Sequence, residues 1–405
     1  MPTVLLCTST SDDTTRAFTE AAQRTGVALR VVADAVDADA VVESLAGAPI
    51  DGVLATGERP AVIAAQVAQR LGLTWHAPDA VIVASHGLLA RGRLLAAGLP
   101  VPWFVSVPAR GDEDLDRLAR VRFPCVIGTV GPVAPAAARA TVRVHSLEQL
   151  LAARDRLAAW LARRASSGTP PGDADTLLVE AVVPGQPFAV DGVLEHGALR
   201  VFALFEVVDS LGDVAAGGTM HVTPARVAPA RQAVIAGHVA RAALALGLHH
   251  GPVHATCRAD GDDVVGLDVA PYTAHPRTRA IPVIAPDRSR CAIEDVLLAH
   301  AGGRPIERYG HEAIASGVLA LTAPHAGRLR EVEGLDAARG VEWVTRVETT
   351  IEVGALVGGP SSDGGYPVVC VFAQGVQPGD VIATLQDASA RLRIVVDREV
   401  PTTTA

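Results

Sequence analysis

Short apolar runs alternate with helical stretches across residues 3–71, and this alternation constrains the fold more than any other feature of the chain. Thr3-Val4-Leu5-Leu6-Cys7 reads as a buried strand, followed by a helix that starts near Ser11 or Asp12 and is closed by Gly26. The pattern repeats with a strand over 28–33, a helix over 37–46, a strand over 52–55 and a helix over 58–71. A βαβαβα order implies a small parallel sheet, because parallel neighbours need a crossover and such crossovers are right-handed. The turn after the first strand, Thr8-Ser9-Thr10-Ser11-Asp12-Asp13, lacks the glycines that let a backbone approach a pyrophosphate, so no Rossmann dinucleotide site is expected there.

The rest of the chain must build further units, since 405 residues exceed what one core organises and about two to four compact units are expected. Ala84 to Gly98 reads as helical and runs into Leu99-Pro100-Val101-Pro102, where two prolines force an extended path and a boundary falls. A strand over 123–128 precedes an Ala/Pro/Gly-rich loop and a helix from Ser146 to Arg164 that opens with a capping-box pattern, Ser146 to Gln149. The polar run 166–173 reads as a linker into a β-rich segment with strands over 176–183, 188–194 and 199–207. A helix over 229–246 and strands over 251–258 and 263–269 follow. Beyond about residue 310 the texture changes to short strands (317–322, 345–353, 368–373) and a final helix over 378–388, which reads as a C-terminal α+β module.

Composition excludes several classes of function. With 44 acidic against 35 basic residues and no long basic run, nothing tracks a phosphate backbone, so nucleic acid is not an expected partner. The chain contains no lysine, so all 35 basic side chains are arginine, and chemistry that depends on a lysine amine is excluded. The five cysteines are odd in number and widely spaced, and three of them lie in apolar runs, the pattern of reduced, buried thiols in a cytoplasmic protein. No window holds about eighteen uninterrupted apolar residues, so neither a signal peptide nor a membrane-spanning helix is expected.

Four stretches resemble the ATP-grasp superfamily, most closely its carboxylate-amine ligases such as the L-amino acid and D-alanine ligases. They are residues 97–102; Phe123-Pro124-Cys125-Val126-Ile127; Leu177-Leu178-Val179-Glu180 with Gly185 and the strand 188–192; and Gly251-Pro252-Val253-His254-Ala255 followed by Val265-Gly266-Leu267-Asp268-Val269. Their order and spacing imply an ATP-grasp fold of mixed α/β and α+β class. The implied domains are an N-terminal parallel α/β (pre-ATP-grasp) domain over 1–84, ATP-grasp subdomains over 85–165 and 166–305, and a C-terminal α+β module over 306–405. The implied activity is ATP- and magnesium-dependent joining of a small carboxylate to an amine or amino acid through an acyl phosphate.

Position by position, the chemistry of that reaction is thin here. The two lysines that the family uses on phosphate correspond to Gly87 and Gly128, and its phosphate-covering loop corresponds to Val130-Gly131-Pro132-Val133-Ala134-Pro135, where two prolines donate no N–H. The resemblance puts Glu180 and Val183 at the adenine-contacting hinge, but Pro187 at the ribose-binding glutamate. It puts Asp268 at magnesium, with Thr256 and Ala270 where further ligands belong, and His254 and Tyr272 at the substrate, Tyr272 replacing an arginine. Arg91, Arg139 and Arg143 lie near the lost lysines and are the candidate replacement cations, since guanidinium grips phosphate well. Two readings follow. One is a ligase with ATP and magnesium whose arginines stand in for lysine; the other is a non-catalytic descendant, with no cofactor, that binds a small molecule or serves as a partner subunit, as a homodimer or beside an active homologue.

Other groups read more plainly. His249, His250, His254, Cys257, Asp268 and His275 fall close in sequence, but strand alternation turns Cys257 away from His254 and Thr256, so a packed or solvent-facing set is expected rather than a metal site. Glu206 and Asp209 read as acids at a strand end, and the glycine-rich stretch 354–365 as a loop.

Overall fold

A computed structural model describes residues 1–9, 12–111, 121–131, 141–165, 175–209, 218–273, 276–358 and 367–398. The chain separates into two compact units: Met1–Phe202 with Pro229–Ala274 and Glu294–Glu307, and Ala203–Ala228 with His275–Ile293 and Arg308–Ala405.

The first unit opens with β1 (Thr3–Thr8), α1 (Asp12–Thr25), β2 (Ala28–Ala33), α2 (Ala38–Ser44), β3 (Gly52–Thr56) and α3 (Glu58–Leu71). The strands form a parallel sheet in the order β2-β1-β3. Leu5, Val53, Ile63, Ala64 and Val67 share its core, and Asp37 caps α2 by accepting hydrogen bonds from the amides of Asp39 and Ala40. The helix expected over 84–98 is α5 (Gly87–Ala96), and a further helix that was not expected, α4 (Pro78–Ser85), precedes it. His86 has extended φ/ψ between them and caps α5 through Nδ1, which accepts from the Leu89 amide at 3.3 Å.

Next come β4 (Phe104–Pro108), β5 (Cys125–Thr129), β6 (Thr141–Val144), α6 (Leu147–Ala165) and β7 (Thr176–Ala181). The strands form an antiparallel sheet in the order β4-β7-β5-β6, one face of which packs Cys125, Ile127, Leu177 and Val179 against Leu150 and Leu157 of α6. The expected capping box is half realised: Ser146 Oγ accepts from the Gln149 amide at 3.2 Å, while Gln149 Oε1 reaches back to the His145 amide at 2.8 Å. The proposed linker at 166–173 lies outside the described residues. β8 (Gln186–Glu195), the first half of β9 (Ala198–Asp209), α7 (Pro229–Ala245), β11 (Gly251–Asp260) and β12 (Asp263–Ala270) add the strand order β12-β11-β8-β9, and β10 (Gly218–Thr223) belongs to the second unit.

In the second unit the end of β9 pairs with β10, which continues to β16 (Ala315–Leu321), β20 (Val369–Gly375) and β18 (Val344–Thr349). The short strands β13 (Val283–Ile284), β14 (Arg290–Cys291) and β15 (Gly310–His311) form a sheet of order β14-β13-β15, β19 (Leu356–Val357), β17 (Gly327–Glu333) and β21 (Arg393–Asp397) form another, and the helix Pro378–Ala390 accompanies them. The C-terminal strands therefore do not cluster alone. Met220 and Val222 of β10 are core residues beside Leu319, Val371 and Leu385, because β10 supplies the hydrogen-bonded edge on which β16 is built. The strand expected over 345–353 stops at Thr349, and the glycine-rich stretch contributes β19 before it leaves the described residues.

Candidate functional site

Strand register decides which expected site residues share a surface. Across the β4-β7-β5-β6 sheet, Phe104, Glu180, Val126 and Arg143 stand directly opposite one another and so point to one side, the side away from α6. Gly128 lies two residues along on that side, paired with Thr141 and Leu178. Arg143 is exposed and lies on the same sheet face as Glu180. Val183 is buried in the turn between β7 and β8, and Arg139 lies outside the described residues.

Glu180 does not stand open. Its Oε1 accepts a hydrogen bond from Arg91 Nε at 2.5 Å, and Arg91 Nη2 donates to the carbonyl of Leu267 at 2.8 Å. Arg91 is 3% exposed. One guanidinium thus ties α5 to β7 and to β12 just before Asp268. Its pairing with Glu180 offsets the desolvation that a lone buried charge would incur. The first turn of α5 is anchored as well, the Gly87 amide donating to the Val130 carbonyl at 2.5 Å.

On the β8-β11-β12 surface, His254 lies opposite Asp191 and Ala270, and Thr256 opposite Ala189 and Asp268, so these six side chains share one face. The register shifts beyond Thr256, where Cys257 pairs with Gly266 and Leu267 is the extra residue. His254 and Tyr272 come together, the rings in edge-to-face contact at 4.8 Å and His254 Nδ1 3.1 Å from the Tyr272 carbonyl oxygen. Asp191, 3% exposed and in the His254 row, is a member of this face that sequence reasoning missed; its signal was the strand alternation from Phe188, which puts Asp191 at an odd position of the run.

This donor set fits a magnesium pair poorly. The face carries two carboxylates, Asp268 opposite a neutral threonine hydroxyl and Asp191 across β11 in the His254 row, where Ala270 offers no oxygen, whereas bridging metal ions need several oxygen ligands presented together. Among the described residues, no group of three or more His, Cys, Asp or Glu side chains converges as a metal site. His249 and His250 gather elsewhere: His250 stacks on His300 at 4.4 Å and lies 4.9 Å from His196, while His275 is outside the described residues. Burial, reinforced by the neighbouring imidazoles, lowers both His250 and His300 to about 4. His76 accepts from the His249 amide through Nδ1 at 3.2 Å, so its Nε2 carries the proton donated to the Pro252 carbonyl at 3.1 Å, and burial holds it neutral with a pKa of about 3. The cysteines Cys7, Cys125, Cys257 and Cys370 are free and buried; burial pushes Cys257 and Cys370 to about 12, which removes them as nucleophiles. Glu206 is held in a forked pair by Arg226 at 2.7 and 2.8 Å.

Comparison with known proteins bears on the fold. Residues 121–275 match the ATP-grasp domain and residues 319–397 match the L-amino acid ligase C-terminal domain 2. Among curated proteins, none matches the chain by sequence. The L-amino acid ligase from Bacillus licheniformis superposes with a TM-score of 0.78 at 18% identity, covering 98% of this chain and 99% of that one. N5-carboxyaminoimidazole ribonucleotide synthetase from Thermotoga maritima gives 0.67 at 15% over 98% and 100%. The ATP complex of carboxyaminoimidazole ribonucleotide synthase from Aspergillus clavatus gives 0.70 at 13% over 97% and 99%. Among the described residues no helix is long and apolar enough to cross a membrane. The chain is therefore an ATP-grasp-fold protein that carries an ATP-grasp domain and an L-amino acid ligase C-terminal domain 2, and it resembles the carboxylate-amine ligases of that superfamily.

Proposed function

We propose that this chain is a divergent relative of the carboxylate-amine ligases in which ATP and magnesium chemistry is weakened or lost, and that its inherited cleft binds a small carboxylate, amine or amino acid. The observation that carries this reading is Arg91. A buried guanidinium bonded to both Glu180 and the Leu267 carbonyl is spent on holding the hinge strand to β12 and is not available to phosphate. The neutral Thr256 opposite Asp268 and the alanine at 270, which leave Asp268 and Asp191 as the carboxylates of that face, support the same reading. On this reading the protein works as a homodimer or as the partner of an active homologue in the cytoplasm.

Arg143 favours a second reading. It lies on the sheet face of Glu180 and Gly128, where a cation would meet a phosphate, so a ligase that uses Arg143 in place of lysine is the alternative. Calorimetric titration with ATP and ADP, with and without magnesium, separates the two. The first reading expects no saturable heat up to about 1 mM nucleotide. Micromolar, magnesium-dependent binding that both Asp268→Asn and Arg143→Gln weaken by about tenfold or more would replace it with the second.

A further inference from the structure

The N-terminal domain holds a crevice that the ligase reading does not use. It lies at the carboxyl ends of β1 and β2 beside the first turn of α3, opens to solvent on one side so that a ligand would be only partly enclosed, and shares no residue with the Glu180 and Asp268 surfaces. In a parallel α/β sheet, strand carboxyl ends where the connections diverge to opposite faces are where ligands bind. In the order β2-β1-β3 the strand order reverses between β1 and β3, and the crevice adjoins that point through the end of β1 and the first turn of α3, the helix that follows β3.

The walls are chemically divided. Arg59, in the first turn of α3, lines the crevice with no hydrogen-bond or ion-pair partner among the described residues. An arginine left without a partner in a crevice wall is a cation available to a carboxylate, which it can take in a forked geometry. Asp34 lines the same crevice, its amide fixed to the Thr8 carbonyl at 2.9 Å and its φ at 52°. Asp34 makes a further interaction within the chain, and a carboxylate, with about four lone-pair sites, can accept an ammonium beside another partner. Between these charges, Cys7, Val32 and Ile63 make an apolar wall, and the Thr8 hydroxyl is already engaged, donating to the Ser9 carbonyl at 2.9 Å and accepting from the Thr56 hydroxyl at 2.7 Å. Burial pushes the Cys7 thiol to about 12, so it contributes only a neutral surface. One cation, one anion and an apolar wall suit neither a polyanion nor a neutral ligand; they suit a zwitterion with an aliphatic side chain.

We propose that this crevice is a binding site for a small aliphatic α-amino acid, with Arg59 taking the carboxylate, Asp34 the ammonium, and Val32 and Ile63 the side chain. The site stands apart from the proposed cleft and does not depend on whether ATP is bound there.

Saturation-transfer NMR and thermal shift with L-valine test it on the full chain. Saturable binding with a dissociation constant on the order of 1 mM is expected, the scale that so small a ligand reaches. Isovalerate, which lacks the amine, and isobutylamine, which lacks the carboxylate, should each bind at least about tenfold more weakly. Arg59→Gln and Asp34→Asn should each weaken L-valine by about tenfold, and asparagine tolerates the left-handed backbone at 34. Arg59→Lys should stay within about threefold of wild type and guards against a folding defect in Arg59→Gln. Arg70→Gln, at the other end of the same helix and paired with Asp39, should leave affinity unchanged. No saturation by L-valine up to about 20 mM, equal binding of isovalerate, or unchanged affinity in both Arg59→Gln and Asp34→Asn would each overturn the assignment. Binding that survives in both of those variants but falls with cleft substitutions would put valine in the proposed ligase cleft instead.

Discussion

At the scale of single residues, Arg91 is the most informative side chain. Replacing it with methionine leaves Glu180 as a largely buried carboxylate without its cation, and should lower stability by about 3 kcal/mol in chemical denaturation. The double variant with Glu180→Gln should recover most of that loss, because the penalty lies in the orphaned charge rather than in the absence of a bond. The histidines give a second prediction, with a definite sign. His76, His250 and His300 are held below the ordinary value of 6.5, at about 3, 4 and 4. Between pH 6.5 and 4 the unfolded chain therefore binds protons that the folded chain refuses, and stability is full above pH 6.5 and falls as pH drops through that window. The midpoint of thermal unfolding should drop by at least about 5 °C from pH 7 to pH 5, and His76→Gln should flatten that slope. A flat profile over this range would mean that the imidazoles are not desolvated as described.

Secondary elements make their own case, because each is anchored by a stripe of apolar side chains rather than by propensity. Leu157 on α6 is 1% exposed and packs beneath the β4-β7-β5-β6 sheet. Leu157→Ala should cost about 3 kcal/mol in equilibrium denaturation while leaving the opposite face, with Glu180 and Arg143, in place. Elements of this kind were plain in the sequence. Strands β1, β2 and β3 and helix α3 follow from alternation, from Gly26 and Gly72 at helix ends, and from apolar spacing, all of which are local signals. Strands β4, β6, β10, β17 and β21 were not legible, since each is short or polar on one face and becomes a strand through the neighbour it pairs with. Helix α4 was not expected, and the helix expected from Ala84 begins only at Gly87, because the capping role of His86 depends on its backbone geometry.

For the whole molecule, the two compact units interleave along the chain, and Ala203–Ala228 belongs to the second although it lies far from the C-terminus in sequence. A chain cut after Glu307 would keep β10 but lose β16, leaving an unpaired edge and exposing Met220 and Val222. Such a truncation should aggregate or bind a hydrophobic dye on expression, whereas a soluble, dye-negative 1–307 fragment would refute the role given to β10. The sequence by itself determined the βαβαβα opening, the order of the four stretches that resemble the ATP-grasp ligases, and the absence of lysine, because these are carried by residue type and local spacing. Only the tertiary structure decided that Arg91 is spent on Glu180 and Leu267, that Arg143 shares a face with Glu180, and that Asp191 joins the His254 row. These depend on strand register and on contacts between residues up to 176 positions apart, and no local pattern of apolar and polar residues encodes which distant side chain a buried charge will meet.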